Sequence, residues 1–215
     1  MTTIASRHLY LCIGHRADMA EFLPSVLRGG VDVVQLREKV LPLEAQRAAA
    51  KIMMPICRDF GVPFIMNDSP EVALELGADG VHVGQDDVTV AYCRELLGPE
   101  AIIGLSTHAP EEFDEALGTS ATYISAGPIV PTPTKAGREG TGVDYAIDAQ
   151  RRSDGPVFVT GGVNATNIGQ LVQLGLKHFV IVRALSESLA PEQDARQLRA
   201  TLDEALSAMA IEPPK

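Results

Sequence analysis

The sequence has a deficit of basic residues and few cysteines. Eighteen lysines and arginines stand against 28 aspartates and glutamates, for a formal net charge of −10, which argues against a basic nucleic-acid-binding protein. The three cysteines, Cys12, Cys57 and Cys93, form no C-x-x-C pair. Their odd number argues against a disulfide framework and indicates a reducing cytoplasm. No spacing of histidines and cysteines is typical of a zinc site.

Long apolar runs are also absent. The first residues, MTTIASRHLYLCIGHRAD, contain no basic region followed by a long hydrophobic stretch, so no signal peptide is predicted. The most apolar C-terminal stretch, Leu171–Leu185, is interrupted by Lys177, His178 and Arg183, so no membrane span is predicted. We therefore expect neither a nucleic acid nor a membrane as partner.

Length and composition indicate one globular domain. The chain has 215 residues, of which 46% are hydrophobic and 21% charged, and a chain of this size buries a core without metals or disulfides. No linker rich in proline and serine divides it. We predict a single domain over residues 1–215, with a frayed tail at about 210–215.

Short apolar runs alternate with longer helical patterns. Several of these runs are continuously apolar, as parallel strands buried on both faces are. Eight alternations in this length predict an α/β fold, a single (β/α)8 TIM barrel, with a doubly wound open sheet as the alternative. The predicted strands are His8–Ile13, Asp32–Leu36, Pro63–Met66, Gly80–Val83, Ile102–Leu105, Thr122–Ala126, Val157–Thr160 and His178–Val182. The predicted helices include Leu43–Asp59, Pro70–Leu76, Thr89–Leu97, Pro110–Leu117, Asn164–Leu174 and Ala195–Met209.

Polar side chains concentrate where the predicted strands end, which is the face that carries function in such barrels. Asp68 and Asp87 follow neighbouring strands and would form a hard-oxygen site for Mg²⁺. Arg37, Lys39 and Lys135 would supply positive charge around the same opening. Together these residues predict a clamp for Mg²⁺ and diphosphate. An aspartate-rich turn such as GQDD is, when taken alone, more often a solvated helix start.

A glycine pair marks a second candidate site. Gly161 and Gly162 follow an apolar strand and precede a predicted helix, so their backbone N–H groups could bind a phosphate, as the loops after strands seven and eight of barrels often do. A glycine pair also serves any tight turn, and the pattern is not the G-x-G-x-x-G of a dinucleotide site. The loop Pro131–Gly142 has no large apolar side chain and is interpreted as a functional loop. Among the histidines, His82 is predicted to be packed within a strand, and His108, at a strand end, is the better candidate for a polar contact.

Five stretches occur in an order that resembles the thiamine-phosphate synthase family, from about Leu9 to Leu185. They are VDVVQLREK, FIMNDSPEVALELGADGVHVGQDD, IIGLSTH, YISAGPIVPTPTK and VTGGV. The resemblance implies a Mg²⁺-dependent transferase on a (β/α)8 barrel. Such an enzyme couples 4-amino-2-methyl-5-hydroxymethylpyrimidine diphosphate with hydroxyethylthiazole phosphate and releases thiamine monophosphate and diphosphate. A homo-oligomer is a further expectation from the resemblance.

The resemblance also implies roles for individual residues. The pyrimidine diphosphate would contact Gln35, Leu36, Arg37, Glu38, Lys39, Asn67 and Ser106. The thiazole phosphate would contact Thr132, Pro133, Thr134, Gly162, Val182 and Arg183. Lys135 would reach the diphosphate and act as a catalytic cation together with Arg37 and Lys39, and Asp68 and Asp87 would hold Mg²⁺.

Arg183 departs from the family pattern, which commonly has serine at this position. One interpretation is that Arg183 binds the thiazole phosphate through a charged contact. The other is an exposed ion pair with Glu187, four residues further along a helix. The sequence leaves both open.

The implied mechanism needs no protein nucleophile. Diphosphate would leave first to give a pyrimidine carbocation, which the thiazole nitrogen then captures, while the protein neutralises the leaving group and holds the thiazole in line. One alternative is a thiazole tautomerase-like relative that performs proton transfer without Mg²⁺, against which Arg37, Asp68, Asp87 and Lys135 jointly argue. The other is a non-catalytic barrel that binds phosphate ligands.

Overall fold

The computed structural model describes residues 3–132 and 139–211 of the chain. Eight parallel strands pair in chain order, and the last strand pairs with the first to close a barrel. The (β/α)8 barrel is therefore confirmed, and the open sheet is excluded because it would leave the two end strands unpaired. The strands are β1 Leu9–Ile13, β2 Val33–Leu36, β3 Phe64–Asn67, β4 Gly80–Val83, β5 Ile102–Thr107, β6 Tyr123–Ala126, β7 Val157–Val159 and β8 His178–Ile181.

Helices follow the strands and cover the outside of the barrel. They are α1 Met19–Arg28, α2 Leu43–Asp59, α3 Pro70–Leu76, α4 Val90–Leu97, α5 Pro110–Leu117, α6 Val143–Arg152, α7 Ile168–Gln173, α8 Arg183–Ser186 and α9 Pro191–Ile211, and a short 3₁₀ helix Ile4–Ser6 precedes β1. None of the helices in the described ranges is long and apolar enough to cross a membrane. The expected frayed end falls largely on residues 212–215, which lie outside the described residues.

The alternation of side chains along each strand separates two apolar regions. Leu9 and Leu11 of β1 pack against the surrounding helices, whereas Tyr10 points into the barrel. Inside the barrel, the residues near the starts of the strands form a closed cluster. Its members are Ile4, Tyr10, Val33, Ile65, Tyr123 and Phe158. Because this cluster fills the amino-terminal end of the barrel, a ligand cavity can open only towards the carboxyl ends of the strands.

A buried histidine lies at the amino-terminal end of the barrel, away from that opening. His178 begins β8, stacks on His8 with a centroid separation of 5.0 Å, and packs against Phe158 at 5.1 Å. Its Nδ1 lies 2.6 Å from the carbonyl oxygen of Arg7. Burial lowers the pKa of His178 to about 4, against the opposing effect of this hydrogen bond. The imidazole is therefore neutral in the folded protein near neutral pH.

We expect acid to destabilise the fold through His178. The pKa of an unfolded histidine is about 6.5, above that of His178 in the folded state, so the unfolded chain binds the extra proton and stability is lost as the pH falls from about 6.5 towards 4. Between about pH 7 and pH 5 the loss amounts to about 2 kcal/mol in the free energy of unfolding. Denaturant unfolding at both pH values measures it.

His178→Asn keeps a donor for the Arg7 carbonyl oxygen and should reduce that loss by about 2 kcal/mol. The exposed His15 offers a matched control, and His15→Asn should leave the loss unchanged. Equal losses in the free energy of unfolding for the wild type and both variants would contradict the assignment of this pH dependence to His178.

Candidate active site

A cavity of about 320 Å³ opens at the carboxyl ends of the strands. This volume is typical of a site for a small molecule. Its walls come from the interior faces of β1–β6 and β8 and from the segments after β6, β7 and β8. The predicted site residues that line it are Gln35, Arg37, Asn67, Ser106, Thr132, Gly162, Val182 and Arg183.

The cavity carries positive charge in an acidic protein. Arg37 and Arg183 line it, and Glu187 is the one carboxylate that the described residues contribute to its lining. The chain as a whole has a net charge of −10. In the described part of the chain, two guanidinium groups and one carboxylate therefore line the opening, although acidic residues outnumber basic ones in the chain.

Several predicted residues lie outside the cavity lining. Leu36 is 1% exposed and packs between the barrel and the helices, so any ligand contact there is limited to its backbone. Pro133, Thr134 and Lys135 lie outside the described residues. Glu38, Lys39, Asp68 and Asp87 are absent from the lining formed by the residues that the structure describes.

Glu38 holds two loops together. Its Oε1 accepts hydrogen bonds from the backbone nitrogens of Val40 at 2.9 Å and Leu41 at 3.3 Å, and its Oε2 accepts one from the backbone nitrogen of His15 at 3.1 Å. Burial opposes ionisation of the carboxyl, but these backbone donors outweigh it and lower the pKa of Glu38. The carboxylate thus fixes the segment that carries Arg37 and Lys39.

Asp68 and Asp87 meet next to the cavity. Asp68 directly follows Asn67, which lines the cavity, and has a left-handed backbone with φ 59°. Few residues other than glycine adopt this conformation, and it is frequent at functional sites. Burial and the facing Asp87 carboxyl raise the pKa of Asp68, and a contact with Lys39 Nζ opposes them. Asp87 Oδ2 in turn accepts a hydrogen bond from the Gly84 backbone nitrogen at 2.8 Å.

This pair fits a hard divalent cation. Two facing carboxylates repel each other, and a bound cation would remove the repulsion while taking oxygen ligands of the kind that Mg²⁺ prefers. Within residues 3–132 and 139–211, no group of three or more histidine, cysteine or acidic side chains could hold a metal. A cation held by Asp68 and Asp87 would therefore complete its shell with water and with phosphate oxygens of a ligand.

The glycine pair after β7 forms a tight turn that lines the cavity. Gly161 and Gly162 have φ values of 89° and 76°, which favour glycine. A Cβ at Gly161 would lie 2.4 Å from Pro128 Cβ, and one at Gly162 would lie 2.3 Å from Val130 Cγ2. The Gly162 carbonyl oxygen accepts from the side-chain nitrogens of Asn164, at 3.0 Å, and Asn167, at 2.9 Å. These bonds fix the turn against the cavity.

Arg183 lines the cavity at the first residue of α8 and is exposed. Among the described residues, no carboxylate lies within ion-pairing distance of its guanidinium, and the ion pair with Glu187 is not formed. Glu187 lines the same cavity. Of the two interpretations of Arg183, the surface ion pair is therefore wrong.

Residues inside the strands contribute more to the cavity than the sequence indicated. His82 is buried, as predicted, but it also forms part of the cavity wall and hydrogen-bonds Tyr123 and Ser106. His108 is outside the lining, and its Nδ1 lies 2.9 Å from a carboxylate oxygen of Glu112. Several residues that line the cavity are not among the predicted site residues, namely Tyr10, Cys12, Tyr123, Ser125 and Thr160. For the two tyrosines, a buried hydroxyl in an apolar strand indicates the need for a partner, but the sequence does not say which face of the strand carries it.

The chain is similar to known proteins along most of its length. The family model of thiamine monophosphate synthase matches residues 9–185. Thiamine-phosphate synthase of Acidothermus cellulolyticus is 38% identical over 205 residues, which cover 93% of this chain and 97% of that relative. The Synechocystis thiamine-phosphate synthase is 38% identical over 190 residues, covering 88% of this chain and 55% of that relative, so the chain spans about half its length.

A solved structure shares the whole fold. Thiamine phosphate pyrophosphorylase from Pyrococcus furiosus has a TM-score of 0.85 and 26% sequence identity to this chain, over 94% of this chain and 98% of that structure. The family model alone covers more than half of the sequence, and the Acidothermus relative matches along nearly its full length. The chain therefore belongs to the thiamine monophosphate synthase family of transferases.

Proposed function

We propose that the protein joins 4-amino-2-methyl-5-hydroxymethylpyrimidine diphosphate to hydroxyethylthiazole phosphate, with Mg²⁺, to give thiamine monophosphate and diphosphate. The observation that carries the proposal is the meeting of two groups of residues in one cavity. Gln35, Arg37, Asn67 and Ser106 form one side, and the glycine turn with Val182 and Arg183 forms the other. A cavity with two anion-binding regions suits two phosphorylated substrates.

The first region would take the pyrimidine diphosphate. Arg37 offers a planar fork to the diphosphate, and Lys39, together with Lys135, offers point charges. Gln35, Asn67 and Ser106 would contact the heterocycle. Mg²⁺ held by Asp68 and Asp87 would neutralise charge on the departing diphosphate.

The second region would take the thiazole phosphate. The backbone N–H groups of the Gly161–Gly162 turn and the Arg183 guanidinium would bind the phosphate, and Thr132, Pro133 and Thr134 would contact it. An aminopyrimidine stabilises positive charge on its exocyclic methylene, so loss of diphosphate can precede attack by the thiazole nitrogen. The residues then have to orient both rings and exclude water, and none has to act as nucleophile.

We also propose that the protein works in a reducing cytoplasm. A reducing cytoplasm suits Cys12, Cys57 and Cys93, which form no disulfide with one another and are all buried. We propose that the chain acts as one domain and assembles with further copies of itself. Size-exclusion chromatography with light scattering tests that assembly, and a monomer would contradict it.

The decisive experiment supplies both substrates with Mg²⁺ and measures thiamine monophosphate by mass spectrometry. Product should form only with both substrates, and a chelator should abolish it. Conversion of the thiazole substrate alone, without Mg²⁺, would instead identify a tautomerase-like activity. Binding of both substrates without product would identify a non-catalytic barrel.

A further inference from the structure

A continuous series of hydrogen bonds crosses the floor of the cavity. It runs from the Cys12 thiol through Gln35, Tyr10 and Tyr123 to His82, and ends at Ser106. Each side chain of this hydrogen-bond series is less than 10% exposed and lines the cavity. Buried polar groups of this kind are costly to leave unpaired, so the protons have to be arranged consistently along the whole series.

The first half of the series has a defined direction. Gln35 Oε1 accepts from Cys12 Sγ at 2.9 Å, which leaves the Gln35 amide nitrogen to donate to Tyr10 Oη at 3.1 Å. The opposite orientation of the amide would present its nitrogen to sulfur, which is a weak acceptor. Tyr10 Oη therefore accepts from Gln35. Because Tyr10 is only 1% exposed, its own proton needs an acceptor in the protein, and we assign it to Tyr123 Oη, 2.9 Å away.

The second half follows from the first. Burial raises the pKa of both Tyr10 and Tyr123, so both hydroxyls keep their protons. Tyr123 accepts from Tyr10 and donates to His82 Nδ1 at 2.9 Å. Because Nδ1 accepts, the ring proton lies on Nε2, which donates to Ser106 Oγ at 2.9 Å.

We infer that Tyr123 and His82 are positioning residues for Ser106: the series holds His82 with its proton on Nε2 and so makes the Ser106 hydroxyl a donor to the ligand. Ser106 Oγ already accepts from His82 and, more weakly, from Ser125 Oγ at 3.4 Å. Both of its lone pairs are then occupied, and its proton is left for the cavity.

This inference rests on the proposed function and deepens it by naming the chemistry of the recognised ring. Next to Cys12, near the other end of the series, the Gln35 amide nitrogen keeps a second hydrogen after donating to Tyr10. Gln35 and Ser106 therefore both offer donors to a ligand. An aminopyrimidine suits them, because its ring nitrogens present lone pairs and no hydrogens.

The tautomer of His82 is measured directly by NMR. The ligand-free protein is labelled with [¹⁵N]histidine, two-bond ¹⁵N–¹H correlations of the rings are recorded, and the His82 signals are assigned from their loss in His82→Gln. The pattern of a neutral ring with its proton on Nε2 is expected in the wild type. A proton on Nδ1, or a doubly protonated ring, overturns the inference without any measurement of activity.

The kinetic test uses Tyr123→Phe, which keeps the ring against Tyr10 and Phe158 and removes the hydroxyl. We expect its KM for the pyrimidine diphosphate to rise about tenfold, equivalent to one net hydrogen bond, and its KM for the thiazole phosphate to stay within about twofold. In the NMR spectrum, His82 should lose the pure Nε2–H pattern. An unchanged KM for the pyrimidine diphosphate overturns the inference.

Tyr145→Phe is the matched control. Tyr145 is another buried tyrosine, and its hydroxyl lies 2.7 Å from Thr107 Oγ1 and 3.1 Å from the Ala109 carbonyl oxygen. It lies outside the cavity lining, so its loss should change neither KM. Equal rises of KM in both variants would assign the effect of Tyr123 to general destabilisation. If the wild type forms no thiamine monophosphate, the proposed function fails, whereas the tautomer of His82 remains measurable.

Discussion

Replacing Asp68 or Asp87 by asparagine is expected to slow thiamine monophosphate formation at least about a hundredfold, which is the upper end of the loss seen when residues that only support metal ligands are changed. Each replacement removes one of two facing charges that would hold Mg²⁺, while keeping the size of the side chain. Asparagine also tolerates the left-handed backbone of Asp68, φ 59°, better than alanine does. Steady-state rates at saturating Mg²⁺ and both substrates measure the loss.

Asp86→Asn is the matched control for this prediction. Asp86 adjoins Asp87 in the same GQDD turn and is exposed like it, but Asp86 does not face Asp68 as Asp87 does. We expect Asp86→Asn to retain activity within about threefold, as most exposed substitutions cost little. Calorimetric titration with Mg²⁺ in the presence of the pyrimidine diphosphate adds a binding measurement that is independent of turnover. Equal tolerance of all three substitutions would refute the metal site.

The elements that sequence predicted best have chemical signals at both ends. Helices α3 and α5 begin with Pro70 and Pro110 and are followed by Gly77 and Gly118, and their observed bounds are the predicted ones. Helix α7 is shorter than predicted at its start, because Asn164 Oδ1 accepts from the Thr166 backbone nitrogen at 2.9 Å and forms a turn there. The sequence predicts no bounds for helices α1, α6 and α8.

The residues of the candidate site also differ in whether the sequence could predict them. Residues at strand ends, such as Arg37 and Asn67, could be predicted because a parallel barrel brings all its carboxyl ends to one face. The positions of Tyr10 and Tyr123 could not be predicted, because in a continuously apolar strand the sequence does not show whether a tyrosine faces the barrel interior or the surrounding helices. Their hydroxyls lie 2.9 Å apart although they are 113 residues apart in the chain, and only the closed barrel brings them together.

Arg183→Ser is expected to raise the KM for the thiazole phosphate about ten- to a hundredfold and to leave the KM for the pyrimidine diphosphate nearly unchanged. The estimate corresponds to one charge-assisted hydrogen bond of about 1.5–3 kcal/mol. Arg183 lines the cavity together with Gly162, and among the described residues no carboxylate competes for its guanidinium. A ligand phosphate would therefore meet an available bidentate donor.

The substitution separates a ligand contact from a purely structural role, because Arg183 is exposed and the fold should accommodate the smaller serine there. Arg151→Ser, at an exposed position near the end of α6 and outside the cavity lining, removes the same charge without approaching the ligand. If charge alone steered the anionic substrates, both variants would raise both KM values, and the effect would fade with salt. A direct contact instead predicts a rise confined to Arg183→Ser and to the thiazole phosphate. Unchanged KM values in Arg183→Ser would show that the phosphate is held by the backbone of the glycine turn without this side chain.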